Sequence, residues 1–200
     1  ENERKRLGLG VSTSANVQVT GVDDELAGIH MQLRPMSLND LDQVAELEGF
    51  AFSDGVHTPW SRMAFYEELS QPGRSWWVAH DQGTIIGFAG GMLAGDDFEI
   101  TDVAVNPERR RQGIAAQLLM RVTYDAQMLG AATTSLEVHV GNAPALGLYQ
   151  RLGYEVVGVR KNYYGPGADA NVMRASLPLQ PDTALVGEEP EPRASVREWP

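Results

Sequence analysis

Three consecutive arginines, Arg109, Arg110 and Arg111, precede Gln112, Gly113, Ile114 and Ala115 in a chain with 27 acidic against 16 basic residues. The cluster lies between ITDVAV, which has the apolar, β-branched character of a strand, and a run of helical periodicity. A strand that turns directly into a helix leaves the first N–H groups of that helix without intrahelical acceptors, and the helix dipole adds positive potential there. Small residues at Gly113 and Ala115 let an anion approach that backbone, and arginines add charge and directional donors. The chemistry this would support is phosphate binding, with an ordinary solvated turn as an equal reading. Neither common nucleotide loop explains the cluster. The sequence has no GxxxxGK followed by Ser or Thr, and GLGVST at 8–13 does not satisfy GxGxxG.

Glu137, in SLEVHV, is the second candidate. Alternation places Ser135, Glu137 and His139 on one strand face and Leu136, Val138 and Val140 on the other. An acid in such a strand is uncommon unless it is paired or at work, and an ion-paired or edge role stays open. Tyr149, in ALGLYQRLGY, carries a phenol able to protonate or hydrogen-bond a leaving group, or simply packs on an amphipathic helix. Asn142, just before Ala143 and Pro144, is placed to cap that helix. His30, His57, His80 and His139 show no ligand spacing and cysteine is absent, so neither a metal site nor a disulfide is expected.

The elements that must carry these residues follow from periodicity and turn chemistry. MQLRPM reads as a short strand ended by Pro35, and Ser37 with Asp40 as a capping-box variant opening a helix with Leu38, Leu41, Val44, Ala45 and Leu47 on one face. Ser61 caps a second helix that Pro72-Gly73 stops. SWWVAH and TIIGFAGGML form a hairpin, DDFEITDVAV a further strand, and Gly113 to Leu129 a long helix with Ile114, Leu118, Leu119, Val122 and Ala126 on its apolar face. TSLEVHV, APALGLYQRL, YEVVGVR and DANVMRASL complete an order β-α-α-β-β-β-α-β-α-β-β, an α/β domain with a mixed sheet. The domain is expected over residues 31–178. Residues 1–30 and the acidic, proline-rich 179–200 are expected to be disordered.

A formal charge of −11 and an isoelectric point near 4.7 argue against nucleic acid as a partner. No apolar run approaches the roughly 20 residues of a membrane span. ERKR near the start is not followed by an apolar segment, so no secretory signal is expected. The expected location is cytoplasmic, with no membrane partner.

VAVNPERRRQGIAAQLL resembles the acyl-CoA-binding motif of the Gcn5-related N-acetyltransferases (GNAT), with Arg110, Gly113 and Ala115 at its defined positions. LEVHVGNAPALGLYQRLGYEVVGVRKNYY followed by DANVM is similar to one branch, the bacterial ribosomal-protein-alanine (RimI-type) enzymes, and the resemblance extends over about residues 32–177. It implies the GNAT fold, a mixed sheet of about six to seven strands flanked by about four helices. It also implies acetyl-CoA as donor, direct transfer to an amine, and no metal. On this basis Glu137 is the general base and Tyr149 the general acid. Arg110, Arg111, Gln112, Gly113, Ile114 and Ala115 hold the diphosphate, while Asn142 and the backbone of Val103, Ala104 and Val105 hold the pantetheine arm and polarise the thioester. A bulge in the Val103 strand and a splay from the next strand would open a slot.

Trp60, Asp102, Tyr163 and Tyr164 are the expected acceptor-binding residues, with Phe52 a further wall and Glu48, Asp54 and Glu155 a further attraction for a basic or small-residue protein N-terminus. Asp102 departs from the neutral or β-branched residue usual in this position, which bears on substrate preference. The acceptor implied is the N-terminal alanine of a small-subunit ribosomal protein. A small amine or lysine side chain as acceptor, and a non-catalytic acyl-CoA-binding module, are the alternatives.

Overall fold

The computed structural model of the chain describes residues 31–52 and 58–182. The expected N-terminal extension, Asp54 and His57, and residues 183–200 lie outside the described residues. Within them the elements follow the expected order: β1 (Met31–Pro35), α1 (Leu41–Ala51), α2 (Arg62–Leu69), β2 (Arg74–Asp81), β3 (Thr84–Ala94), β4 (Asp97–Val105), α3 (Ile114–Met128), β5 (Thr133–His139), α4 (Ala143–Arg151), β6 (Glu155–Arg160) and β7 (Ala170–Ser176). No helix among the described residues is long and apolar enough to cross a membrane.

Local chemistry sets the boundaries. The Asp40 carboxylate accepts the Ser37 N–H at 2.7 Å and takes both nitrogens of the Arg34 fork at 2.6 and 2.7 Å. Ser61 Oγ accepts the Ala64 N–H at 3.2 Å and starts α2. The stripe Ile114, Leu118, Leu119, Val122 and Ala126 is buried along α3, and Gly130, in the left-handed region at φ 98°, terminates it. Leu179 is buried in the first core and the Asp182 N–H donates to Arg151 O at 2.8 Å, so packing continues beyond residue 178.

The strands form one mixed sheet ordered β1-β2-β3-β4-β5-β7-β6, in which only β4 and β5 run parallel. Alternation divides the apolar side chains between two cores, one on each face. Phe98, Ile100, Leu136 and Val138 pack with α3 and with Tyr149 of α4, while Trp76, Val78, Phe88 and Ala104 pack with Leu41, Val44 and Phe65 of α1 and α2.

Two irregularities prepare the site. Gly90 pairs with Asp102 and Gly91 with Ile100, which leaves Thr101 as an extra residue in β4. Strict alternation would send Asp102 to the same face as Phe98 and Ile100. The bulge instead turns Asp102 and Ala104 towards α1 and α2 and returns Val103 and Val105 to the α3 side. The second irregularity is that β4 and β5 pair only at Asp97↔Thr133, Phe98↔Thr134 and Glu99↔Ser135. Beyond them β4 stays on β3 and β5 stays on β7, so the strands part, and the edges 100–105 and 136–139 face an opening.

Candidate active site

At one end of this opening β4 turns into α3. Asn106 Oδ1 accepts the Glu108 N–H at 3.0 Å, and Pro107 to Arg109 make a single tight turn. The arginine cluster then divides by task. Arg109 is structural, donating to Asp81 Oδ2 at 2.8 Å and to Gln112 Oε1 at 3.3 Å. Arg110 and Arg111 are at the surface beside Gln112 and Gly113. Arg111 (φ 66°) and Gly113 (φ 76°) both adopt left-handed backbone, a geometry that gathers successive N–H groups into a concavity for anions. Among the described residues, the amides from Arg111 to Ala115 have no backbone acceptor, and they stand at the positive end of the 15-residue α3. Ile114, 2% exposed, anchors this turn in the first core. Orphaned donors, helix dipole and surface guanidinium together fit a diphosphate.

Glu137 occupies the lip of β5, with Leu136 and Val138 buried on the opposite face, as alternation requires. Its Oε1 lies 2.9 Å from Arg160 Nη1, so the ion-paired reading is realised. Burial pushes the carboxyl up, the Arg160 charge draws it down, and Glu99 and Asp97 push it up again; the net direction is upward. A carboxylate displaced in this direction accepts a proton more readily than an ordinary one.

Tyr149 approaches from the opposite face. It packs edge-on against Tyr154, with ring centroids 5.8 Å apart. Burial first, then the charges of Asp102 and Tyr164, push its phenol far above the ordinary value, so it stays protonated. Those charges come from β4 and from the β6–β7 connection, while the ring itself is buried in the first core. At the start of α4, Asn142 Oδ1 accepts the Ala145 N–H at 3.2 Å, the expected cap.

The expected acceptor residues separate. Tyr164 donates its hydroxyl to Glu137 O at 3.2 Å, and its phenol is pushed up to about 12 by burial, then by Tyr163 and Glu137. Tyr163 stacks edge-on upon it at 4.9 Å, with the Arg160 guanidinium 5.6 Å from the Tyr163 ring. These aromatic rings form a wall beside Glu137. The Trp60 ring instead packs on Phe65 and Trp76 at 5.5 and 5.9 Å, and Phe52 lies against the same core. Trp60 touches the site through its backbone, whose N–H donates to Glu48 Oε1 at 3.1 Å. Asp102 is on the α1 side and faces Glu48. Glu155 is not brought to the opening, because the register sets it level with Arg174 and Ser135, where β4 and β5 are still paired.

Sequence reasoning missed the Gly90-Gly91 pair and Arg160. A Cβ on Gly90 would lie 2.0 Å from the Trp76 ring and one on Gly91 2.1 Å from Glu99 O, so both glycines permit the close packing opposite the bulge. The consecutive glycines inside an apolar strand were the available signal. Arg160 gave none, since its reach to Glu137 depends on strand order.

The profile of the Acetyltransferase (GNAT) family matches residues 41–154. A Bacillus subtilis chain is 37% identical over 147 residues, 72% of this chain and 95% of that one. The N-alpha-acetyltransferase RimI of Mycobacterium tuberculosis is 34% identical over 140 residues, 68% of this chain and 85% of the relative. Among solved structures, the ribosomal-protein-S18-alanine N-acetyltransferase from Escherichia coli superposes with a TM-score of 0.66 at 27% identity, covering 73% of this chain and 93% of the other. An aminoglycoside 6'-N-acetyltransferase complexed with coenzyme A shares the fold, with a TM-score of 0.64 at 20% identity over 76% of this chain and 99% of the other.

Proposed function

The chain belongs to the Acetyltransferase (GNAT) family, and from that premise we propose that it transfers the acetyl group of acetyl-CoA to the terminal α-amine of a protein, the N-terminal alanine of a ribosomal protein being the foremost candidate. The name of the E. coli relative supports this acceptor, and that of the M. tuberculosis relative supports an α-amine. Acetyl-CoA supplies the acetyl group as a thioester. Arg110, Arg111 and the amides from Gln112 to Ala115 would hold its diphosphate, with Asn142 and the open β4 edge at Val103, Ala104 and Val105 holding the pantetheine arm and polarising the carbonyl.

The remaining chemistry is proton traffic. An α-amine with a pKa of about 8 has an appreciable neutral fraction at physiological pH, whereas a lysine amine at about 10.4 has almost none. Glu137 accepts the proton that the nitrogen loses as the amide forms. Tyr149, kept protonated by burial, donates to the departing sulfur. Tyr163 and Tyr164 guide the peptide to Glu137.

The observation that carries this reading is the parting of β4 and β5 after Glu99↔Ser135, with Glu137 on one lip of the opening. The test incubates the protein with acetyl-CoA and peptides that differ in their first residue, together with an N-blocked, lysine-containing control. Acetylation of free α-amines, strongest for alanine, is expected. Modification confined to the blocked control would overturn the α-amine assignment.

A further inference from the structure

On the α1 side of the opening two carboxyl groups meet without a cation. Glu48 is 2% exposed; its Oε1 takes the Trp60 N–H, and its Oε2 is buried with no partner. The Asp102 carboxyl faces it from β4, and Asp102 Oδ2 is likewise buried and unpartnered. The contrast with neighbouring carboxylates is sharp: Asp40, Asp81 and Glu137 each hold an arginine. The groups facing the pair are the Trp60 amide before α2, the Val103 amide on β4 and the neutral phenol of Tyr149 from α4. Among the described residues, neither carboxyl has an ion-pair partner. Burial and the neighbouring Glu48 push the Asp102 carboxyl well above its ordinary value, and burial raises that of Glu48, so both lean towards the protonated form.

We propose, on the basis of the acetyl-transfer reading, that Asp102, held and tuned by Glu48, is the seat for the terminal ammonium group of the acceptor. Geometry and charge converge on it. The Thr101 bulge presents Asp102 on the face opposite the main body of α4, so a nucleophile seated there and the Tyr149 acid approach the opening from opposite sides. Asp102 also directly precedes Val103, where the exposed edge proposed to hold the thioester begins. Among the described residues no cation pairs with either carboxyl, and a primary ammonium would supply one. The seated ammonium loses one proton to water before its nitrogen attacks, and Glu137, across the opening with its own cation already in place, takes the second as the amide forms. Asp102 touches the substrate; Glu48 acts through Asp102 and is a positioning residue. An N-blocked terminus carries no charge and gains nothing from this seat.

Isosteric variants assayed with acetyl-CoA and an alanine-starting peptide test the seat. Asp102→Asn removes the ammonium contact, so the acceptor KM rises about ten- to a hundredfold while coenzyme A affinity, read by calorimetry, is unchanged; Asp102→Glu recovers part of the loss. Glu48→Gln keeps an acceptor for the Trp60 N–H and removes the like charge. The Asp102 carboxyl then falls towards the ordinary range, and the acid limb of kcat/KM moves to lower pH, which a purely structural role would not produce. Infrared spectroscopy of the ligand-free wild type at neutral pH supplies a readout independent of activity and of how the variants fold: a protonated carboxyl band is expected. An unmoved acid limb in Glu48→Gln, an unchanged acceptor KM in Asp102→Asn, or no such band overturns the seat alone, provided that the wild type turns over. A wild type that acetylates no free α-amine overturns the seat and the proposed function together.

Discussion

Arg160 Nη1 lies 2.9 Å from Glu137 Oε1 although β7 separates their strands. The guanidinium draws the Glu137 carboxyl down against the upward push of burial and of Glu99 and Asp97, so the strength of the candidate base depends on a residue in another element. Arg160→Gln removes the downward influence. The Glu137 pKa rises further, the charged base is lost at a higher pH, and the acid limb of kcat shifts upward while the alkaline plateau is retained. A pH–rate profile checks it, and an identical limb in the variant would separate Arg160 from the reaction.

Glu137→Gln retains shape and part of the hydrogen bonding but cannot take a proton. Turnover at neutral pH is expected to fall about 10²- to 10⁴-fold. Coenzyme A affinity should hold, because the anion cradle lies at the start of α3 on another segment. Single-turnover kinetics beside calorimetry separates these effects, and undiminished turnover would require a different proton acceptor.

Gly113 occupies left-handed backbone at φ 76° in the candidate diphosphate cradle. Gly113→Ala incurs about 1–2 kcal/mol of backbone strain and reorients the amides, so both thermal stability and coenzyme A affinity should decrease. Gly49 gives the control. It lies within α1, and a Cβ there meets nothing within 4 Å. Gly49→Ala is expected to stabilise the fold by roughly 0.5–1 kcal/mol and to leave coenzyme A affinity alone. Equal responses of the two variants in denaturation and calorimetry would refute the distinction.

Gly90 is required for a different reason. Its neighbour is a rigid indole rather than the end of a flexible chain, and the added Cβ would be 2.0 Å from it. Gly90→Ala therefore displaces Trp76 and disturbs the β3–β4 register that orients Asp102. A loss of about 1–3 kcal/mol is expected from overpacking, measured by chemical denaturation. A wild-type midpoint would mean that the strand accommodates the methyl group without cost.

What could be read from the sequence was what short-range periodicity encodes. The α3 stripe, the β5 alternation and the start of α3 at Gly113 depend on residues a few positions apart, and each has its expected place in the fold. Relationships set by strand order and register were less visible. The bulge was anticipated in β4, but fixing it at Thr101 needs the partner glycines of β3. Glu48 and Asp102 were expected as separate attractions for a basic peptide, and their meeting depends on α1 crossing the bulged strand. Trp60, expected as a pocket wall, packs into the second core because Phe65 and Trp76 offer it a larger apolar surface.

The Glu48–Asp102 contact also predicts how stability varies with pH. Burial and mutual repulsion raise the Asp102 carboxyl well above its ordinary value, and burial raises that of Glu48. A carboxyl with a folded-state pKa above its unfolded value destabilises the fold when ionised. Stability should therefore increase as pH falls through the folded-state values and level off near the unfolded ones. Asp40 has the opposite sign. Burial raises its carboxyl, but the hydrogen bonds from Arg34 and Ser37 outweigh this and leave it lowered, so its contribution is present above the unfolded pKa and lost only in stronger acid. Asp102→Asn relieves the like-charge contact and is expected to raise stability at mildly alkaline pH by roughly 1–3 kcal/mol. The gain should shrink on acidification as the wild-type pair becomes fully protonated. Denaturation midpoints of both proteins across this range test the linkage, and a stability difference independent of pH would show that the pair does not titrate with folding.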